Sequence, residues 1–275
     1  MWHLNRIPKI LHTFWGGDHL LYIRYLTLKT FIKHNPDWRV VVWYPKVPYR
    51  GQPSWNYMKG TPVVNDKVCK NYLSELPKLN VEMKEVDFDK IGFARQTPEV
   101  HKADFIRIVA LHQQGGLWTD MDILYFAPIE NMKANCPENA DKDVFVCIAD
   151  YGHSTGFNLA VKNSEFFEIL QNSFNGNYKV REYQCWGPDL FNKYFRNMDM
   201  IPKGVNLDMD VVYAYDCHHV SAGELMRSSP VRFTEGSIGC HWYGGNVIWT
   251  DFLNRTGGGE KNLPNTIIGN LIKNV

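Results

Sequence analysis

The sequence predicts a single α/β domain with a central, mainly parallel sheet flanked by helices, and three observations predict it. From Ile7 to Trp43 a strand-like stretch, a helix-like stretch and a second strand-like stretch follow one another. That is a βαβ unit, whose crossover makes its two strands parallel. Two runs, "RVVVW" (Arg39–Trp43) and "VFVCIA" (Val144–Ala149), are almost continuously apolar, as strands covered on both faces are. The 275 residues contain neither an internal repeat nor a clear linker, so one domain is expected over 1–275.

Taken in order, "IPKILHTF" (Ile7–Phe14) reads as a strand stopped by Gly16-Gly17. Leu21–His34 follows as a helix with Leu21, Tyr25, Leu28 and Ile32 on one stripe. "HNPDW" turns the chain into the Arg39–Trp43 strand, and Pro45–Pro62 reads as loop. Asn65–Leu76 is expected as a helix and Val81–Val86 as a strand. The best-defined helix lies in "TPEVHKADFIRIVALHQQGG", with Thr97 as N-cap, Pro98 at the first helical position, Glu99 in the first turn and Gly115-Gly116 as the stop. A strand carrying "LWTDMDILYF" comes next, then Val144–Ala149, a strand in "TGFNLAVK" and a capped amphipathic helix in "SEFFEILQNSF". "GPDLFNKYF" reads as a helix, "VVYAY" as a strand, and "NRTGGGEKNLP" as a mobile loop.

Composition narrows the partners. Thirty basic and 29 acidic residues leave a net charge of +1, and no Lys/Arg-rich run offers a surface to a nucleic acid. No apolar run reaches the ~18 residues of a membrane span, and the N-terminus is too polar for a signal peptide. The six cysteines are scattered without a CxxC pair, which suits reduced thiols and argues against a zinc site. The expectation is a soluble cytoplasmic protein with no integral membrane segment, or one trimmed of a membrane anchor.

Two constellations carry chemistry. In "GGLWTDMDILYF", Asp120 and Asp122 alternate with apolar residues, so a continuous strand would place both carboxylates on one face. Like charges there repel unless something neutralises them, and a divalent cation does so; a solvated strand end is the plainer explanation. In the preceding helix Asp104 and Arg107 are three apart and share a face. A surface ion pair there would contribute well under ~1 kcal/mol. The apolar flanks Phe105, Ile106, Ile108 and Val109 instead bury the pair, as a site for recognising hydroxyls would.

"ADFIRIVALHQQGGLWTDMDI" resembles the sugar-binding region of the Asp-x-Asp glycosyltransferases of family 32, and more distantly the glucosyltransferase domains of the large clostridial toxins. The opening "IPKILHTFWGG" is similar to the Ile-Pro-Lys-x-Ile-His-x-x-Trp start of the same family. The resemblance implies a Rossmann-like GT-A fold, with a nucleotide-sugar-binding half over about 1–126 and an acceptor-side half over about 127–275. It implies a UDP- or GDP-linked sugar donor, a glycan or other hydroxyl acceptor, Mn2+ or Mg2+, and retention of anomeric configuration. Carried over by residue, Asp104 and Arg107 would hold the donor sugar, and Asp122 would bind the metal. Asp120 would contact the ribose and reach the metal through water. Thr13, Phe14 and Trp15 would form the base pocket, with Trp118 beside ribose and sugar. His241 would complete the metal site, with Asn246 as the second choice, because Gly244-Gly245-Asn246 replaces the family's Ser-Trp spacing. Asn158 and Asp189 would line the donor and acceptor sides, although Asp189 also suits a first-turn acid facing a helix dipole.

Two rivals come from other classes. An aspartate-nucleophile phosphatase also carries Asp-x-Asp, but directly after a strand and usually followed by Thr or Val, unlike the Ile-Leu here. A non-catalytic nucleotide-sugar-binding protein with a degenerate fold would bind the donor without turnover.

Overall fold

A computed structural model describes residues 1–49, 69–95, 97–176, 179 and 182–274, apart from the side chain of residue 219. Nine strands and seven α-helices are named among these residues. A seven-stranded mixed sheet forms the centre, in the order β3-β2-β1-β4-β7-β6-β8. It comprises β1 (Ile10–Phe14), β2 (Arg39–Pro45), β3 (Glu82–Val86), β4 (Gly116–Thr119), β6 (Val144–Ala149), β7 (Gly152–Ala160) and β8 (Gly204–Asn206). β1, β2, β3 and β4 are mutually parallel, β7 runs against both β4 and β6, and β8 is parallel to β6. The sheet is therefore mostly parallel, with β7 reversed.

The apolar run in β2 has the expected cause. Val40 and Val42 enter one core with Leu11, Leu117 and Phe157, while Val41 and Trp43 enter the other with Ile106, Ile108 and Leu111. Helix α1 (Tyr22–His34) covers the first face; α2 (Glu99–Gln114), α3 (Glu165–Asn172) and α4 (Pro188–Tyr194) cover the second. A third apolar cluster joins the start of α1 to α6 (Trp249–Arg255) and α7 (Ile267–Lys273), through Leu26, Trp242, Trp249 and Ile268. The remaining strands, β5 (Ile123–Tyr125) and β9 (Gly239–His241), form a separate antiparallel pair. The short helix α5 (His219–Glu224) precedes β9.

Several expectations need correction. The buried side of α1 is not the predicted stripe: Ile23, Leu26, Thr27, Thr30 and Phe31 are buried with Leu28, whereas Tyr25 and Ile32 are half-buried. α1 lies between two clusters, so apolar and polar residues alike are covered. α2 begins at Glu99, Pro98 holds the cap position, and Thr97 donates its N–H to Ala94 without capping. "VVYAY" is not a strand. The carbonyls of Val211 and Val212 accept from Ile238 and His241, which aligns the segment with β9 without a ladder. Of the helix expected at Asn65–Leu76, the first four residues lie outside the described residues, and Leu73–Leu79 forms a 3-10 helix. The glycine-rich "NRTGGGEKNLP" is packed: Gly258 accepts from the Ile23 N–H, and Tyr72 bonds the Glu260 carboxylate. All six cysteines are free thiols. Among the described residues no helix is long and apolar enough to cross a membrane.

Candidate active site

The site is assembled where β4 ends. The Gly115-Gly116 step brings α2 sharply into β4. Both glycines have left-handed φ (70° and 100°), and a Cβ on Gly116 would lie 2.3 Å from the Ile10 carbonyl oxygen. Only glycine allows that approach between β1 and β4.

Helix α2 presents Asp104 and Arg107 one turn apart, both almost fully buried. Arg107 Nη1 donates to Asp104 Oδ1 at 2.5 Å, and Nη2 donates to Asp120 Oδ1 at 3.2 Å. The guanidinium fork thus ties the helix to the strand end. Trp118 supports it from below, with its ring 5.1 Å from the guanidinium carbon and its indole N–H donating to Asp120 Oδ1 at 2.8 Å. Asp104 Oδ2 is buried without a partner among the described residues. Burial, with Asp120 and Asp189 nearby, pushes the Asp104 carboxyl up to about 6 against the pull of Arg107. Burial likewise opposes charge on Asp120, but Arg107, His241 and the Trp118 hydrogen bond outweigh it and hold that carboxyl below its ordinary value.

The two aspartates do not share one strand face. β4 stops at Thr119, Asp120 to Asp122 form a turn, and Ile123 begins β5 in the other sheet. A continuous strand would have buried two adjacent carboxylates in the sheet; the turn carries them to its rim instead. Met121, between them, goes into the core, and its carbonyl accepts from Arg24 Nη1 at 3.4 Å. The carboxylates still converge, because β9 pairs with β5 and places His241 opposite Ile123. His241 Nε2 lies 3.2 Å from Asp122 Oδ1, its Nδ1 accepts from the Tyr243 N–H at 3.2 Å, and Asp122 Oδ2 accepts from the Gly244 N–H at 2.8 Å. One ligand atom from each of Asp120, Asp122 and His241 falls within 4.8 Å of the others.

This set fits a hard divalent cation. Two carboxylates and one imidazole suit Mn2+ or Mg2+ by donor type. Donors at ~2.1 Å from an octahedral ion stand roughly 3 Å apart, which the Asp122–His241 spacing of 3.2 Å matches. Space is left as well. β4 and β7 pair Trp118 with Asn158, a register that brings Asp120 opposite Gly156, and the Asp120 N–H donates to the Gly156 carbonyl at 2.8 Å. A Cβ on Gly156 would stand 2.8 Å from Asp120 Oδ2, 3.1 Å from His241 Nε2 and 3.1 Å from Tyr213 Oη. The missing side chain keeps the cluster open.

The other predicted site residues are placed as follows. Asn158 is fully buried beside Trp118, its Nδ2 donating to the Thr155 carbonyl at 2.6 Å and its Oδ1 unpartnered among the described residues. Asp189 sits in the first turn of α4, close enough to act on the Asp104 charge. Thr13 and Phe14 end β1 and Trp15 follows it, all three buried: Phe14 packs edge-on to Phe88 at 6.0 Å, and the Trp15 ring is 5.3 Å from the Arg24 guanidinium carbon. Asn246 is drawn into a turn, donating to Cys217 and accepting from Ile248. Sequence reasoning missed Arg24, Gly156 and Tyr213. Arg24 is buried between the rings of Trp15 and Trp242 and feels the Asp122 charge. A lone arginine among apolar residues of α1 was the available signal. Gly156 and Tyr213 left none that position alone could interpret.

Residues 24–139 match the family described as "Glycosyltransferase sugar-binding region containing DXD motif". The matched segment holds Asp104, Arg107, Asp120 and Asp122, the residues that the geometry joins. This segment is similar to a glycosyltransferase sugar-binding region, and the match supports a glycosyltransferase. Solved structures similar to this chain include "PaToxG Glycosyltransferase", 16% identical over 68% of this chain and 67% of that one, with a TM-score of 0.41. An active-site mutant of LgtC is 14% identical over 84% and 86%, with a TM-score of 0.45. The glycosyltransferase GlyE of Streptococcus pneumoniae TIGR4 is 10% identical over 85% and 53%, with a TM-score of 0.47. No curated protein matches the chain.

Proposed function

We propose that this glycosyltransferase moves a sugar from a UDP- or GDP-linked donor to a hydroxyl of a glycan acceptor, retaining the anomeric configuration and using Mn2+ or Mg2+. One observation carries the reading. Arg107 joins Asp104 to Asp120, and Asp120 lies in the same cluster as Asp122 and His241. Groups suited to sugar hydroxyls and groups suited to a cation are thus contiguous, as a substrate with a sugar on one side of a diphosphate requires.

Asp120, Asp122 and His241 would hold the cation, and when bound it would neutralise charge on the departing diphosphate. The side chains divide the remaining work. Asp104 Oδ2, buried and unpartnered, accepts from a donor-sugar hydroxyl, while Arg107 keeps that carboxylate and Asp120 in fixed relation. Such preorganised charge is commonly a large share of catalysis. Trp118 fixes Asp120 by its indole N–H and flanks the ribose and sugar; Thr13, Phe14 and Trp15 take the base. Asn158 and Asp189 border the sugar from β7 and α4. No residue of the sequence stands out as a nucleophile, and front-face attack by the acceptor hydroxyl is the proposed route to retention.

The test is transfer and donor hydrolysis across UDP- and GDP-sugars, with Mn2+ and with EDTA, with product configuration read by NMR. Activity that needs the cation and gives a retained product is expected. Full activity in EDTA removes the cation role, an inverted product removes retention, and donor binding with no turnover supports the non-catalytic alternative.

A further inference from the structure

We propose that Tyr213 is a further binding residue of this site, its phenol donating a hydrogen bond to an oxygen carried by the cation, either a water or a diphosphate oxygen. The inference rests on the transferase reading above. It starts from a hydroxyl with nothing to bond. Tyr213 is buried, and its Oη is closed off from solvent without a hydrogen-bond partner among the described residues. A buried hydroxyl left unpaired is penalised, and phenylalanine would fill the same volume without that penalty. The hydroxyl therefore serves something other than packing.

Its direction shows what it serves. Tyr213 Oη lies 3.1 Å from where a Cβ on Gly156 would stand, with Asp120 Oδ2 at 2.8 Å and His241 Nε2 at 3.1 Å from the same point. Three polar atoms from three segments converge on one small space. Two of them belong to the cation cluster; the third is a neutral donor, as a phenol is near neutral pH. The ring is held in place, since the Tyr213 N–H donates to Met209, the neighbouring Val212 carbonyl accepts from His241, and the Tyr213 and His241 rings lie 5.3 Å apart. A donor so fixed beside the cation ligands suits an oxygen that the cation itself carries.

Tyr213→Phe tests this by calorimetry with MnCl2 alone and then with UDP and GDP at saturating Mn2+, alongside melting of the ligand-free protein. The expected ligand-free melting temperature is equal to or above that of the wild type, because an unpaired hydroxyl has been removed. The expected affinity loss is about three- to tenfold. Loss for Mn2+ alone assigns the bond to a metal-bound water; loss only with nucleotide assigns it to a diphosphate oxygen. Unchanged affinity in both arms overturns the inference, and so does a fall of several degrees in the ligand-free melting temperature, which marks a structural hydroxyl. A wild-type protein that binds neither Mn2+ nor nucleotide overturns the transferase reading as well.

Discussion

Replacing Gly156 by alanine should close the cation site without unfolding the protein. The new Cβ would stand 2.8 Å from Asp120 Oδ2, where ordinary contact begins at 3.4 Å, so the carboxylate must give by about 0.6 Å. An exposed aspartate would simply rotate. This one cannot, because its other oxygen is held by Trp118 at 2.8 Å and Arg107 at 3.2 Å. Moving it sacrifices at least one hydrogen bond to a charged group, worth about 1.5–3 kcal/mol. At about 1.4 kcal/mol per tenfold, Mn2+ affinity should fall about 10- to 100-fold. Gly156 has no left-handed φ, so alanine brings no backbone strain, and the lost hydrogen bond alone should lower the metal-free melting temperature by about 3–12 °C. Titration calorimetry with MnCl2 measures the first quantity and differential scanning fluorimetry the second. Wild-type Mn2+ affinity in Gly156→Ala would refute the reasoning, since the space over Gly156 could then have no part in holding the ion.

Other predictions use the same geometry. Trp118→Phe keeps a ring beneath Arg107 but removes the donor to Asp120; kcat/KM should fall about tenfold with only a small loss of stability, measured by donor turnover and urea unfolding. Asp104→Asn should lower kcat at least about 100-fold while UDP or GDP affinity changes less than about threefold, because the proposed role of its unpartnered Oδ2 is on the sugar; equal losses in both would place it on the nucleotide. His12 gives a stability signature. It is fully buried, its ring bonded to the Gly115 carbonyl and to the Trp43 indole, and burial lowers its pKa from 6.5 to about 4. The folded state keeps the ring neutral, so its contribution is complete above pH 6.5 and is lost as pH falls towards 4, by about 3 kcal/mol. Urea midpoints for wild type and His12→Gln should converge over that interval; parallel curves would show that His12 is not the group responsible.

Much of this was legible in the residues. The spacing of Asp104 and Arg107 within an apolar helix places them on one buried face, whatever the rest of the chain does, because a helix has a fixed period. The alternation of β2 between two cores follows from strand geometry in the same way. Where the local rule had a competitor, it failed. Period-two alternation made Asp120 and Asp122 partners on one strand, but desolvating two carboxylates costs more than breaking the ladder, and the chain turns between β4 and β5. The glycine-rich tail has loop composition, yet it is packed against α1, which composition cannot reveal. The segment "VVYAY" has strand propensity but meets β9 only through isolated hydrogen bonds.

By itself the sequence determined the helical pair Asp104–Arg107, the acidic pair Asp120–Asp122, the two-sided burial of the sheet and the enzyme class to test. These depend on period, charge and motif, which are properties of neighbours along the chain. Only the tertiary structure decided that His241 meets Asp122 across the β5–β9 pair, that Arg107 bonds Asp120 as well as Asp104, and that Gly156 and Tyr213 face the cluster. Those contacts join segments far apart in the chain, and their distances follow from strand pairing and core packing, which exist only once the whole sheet has formed.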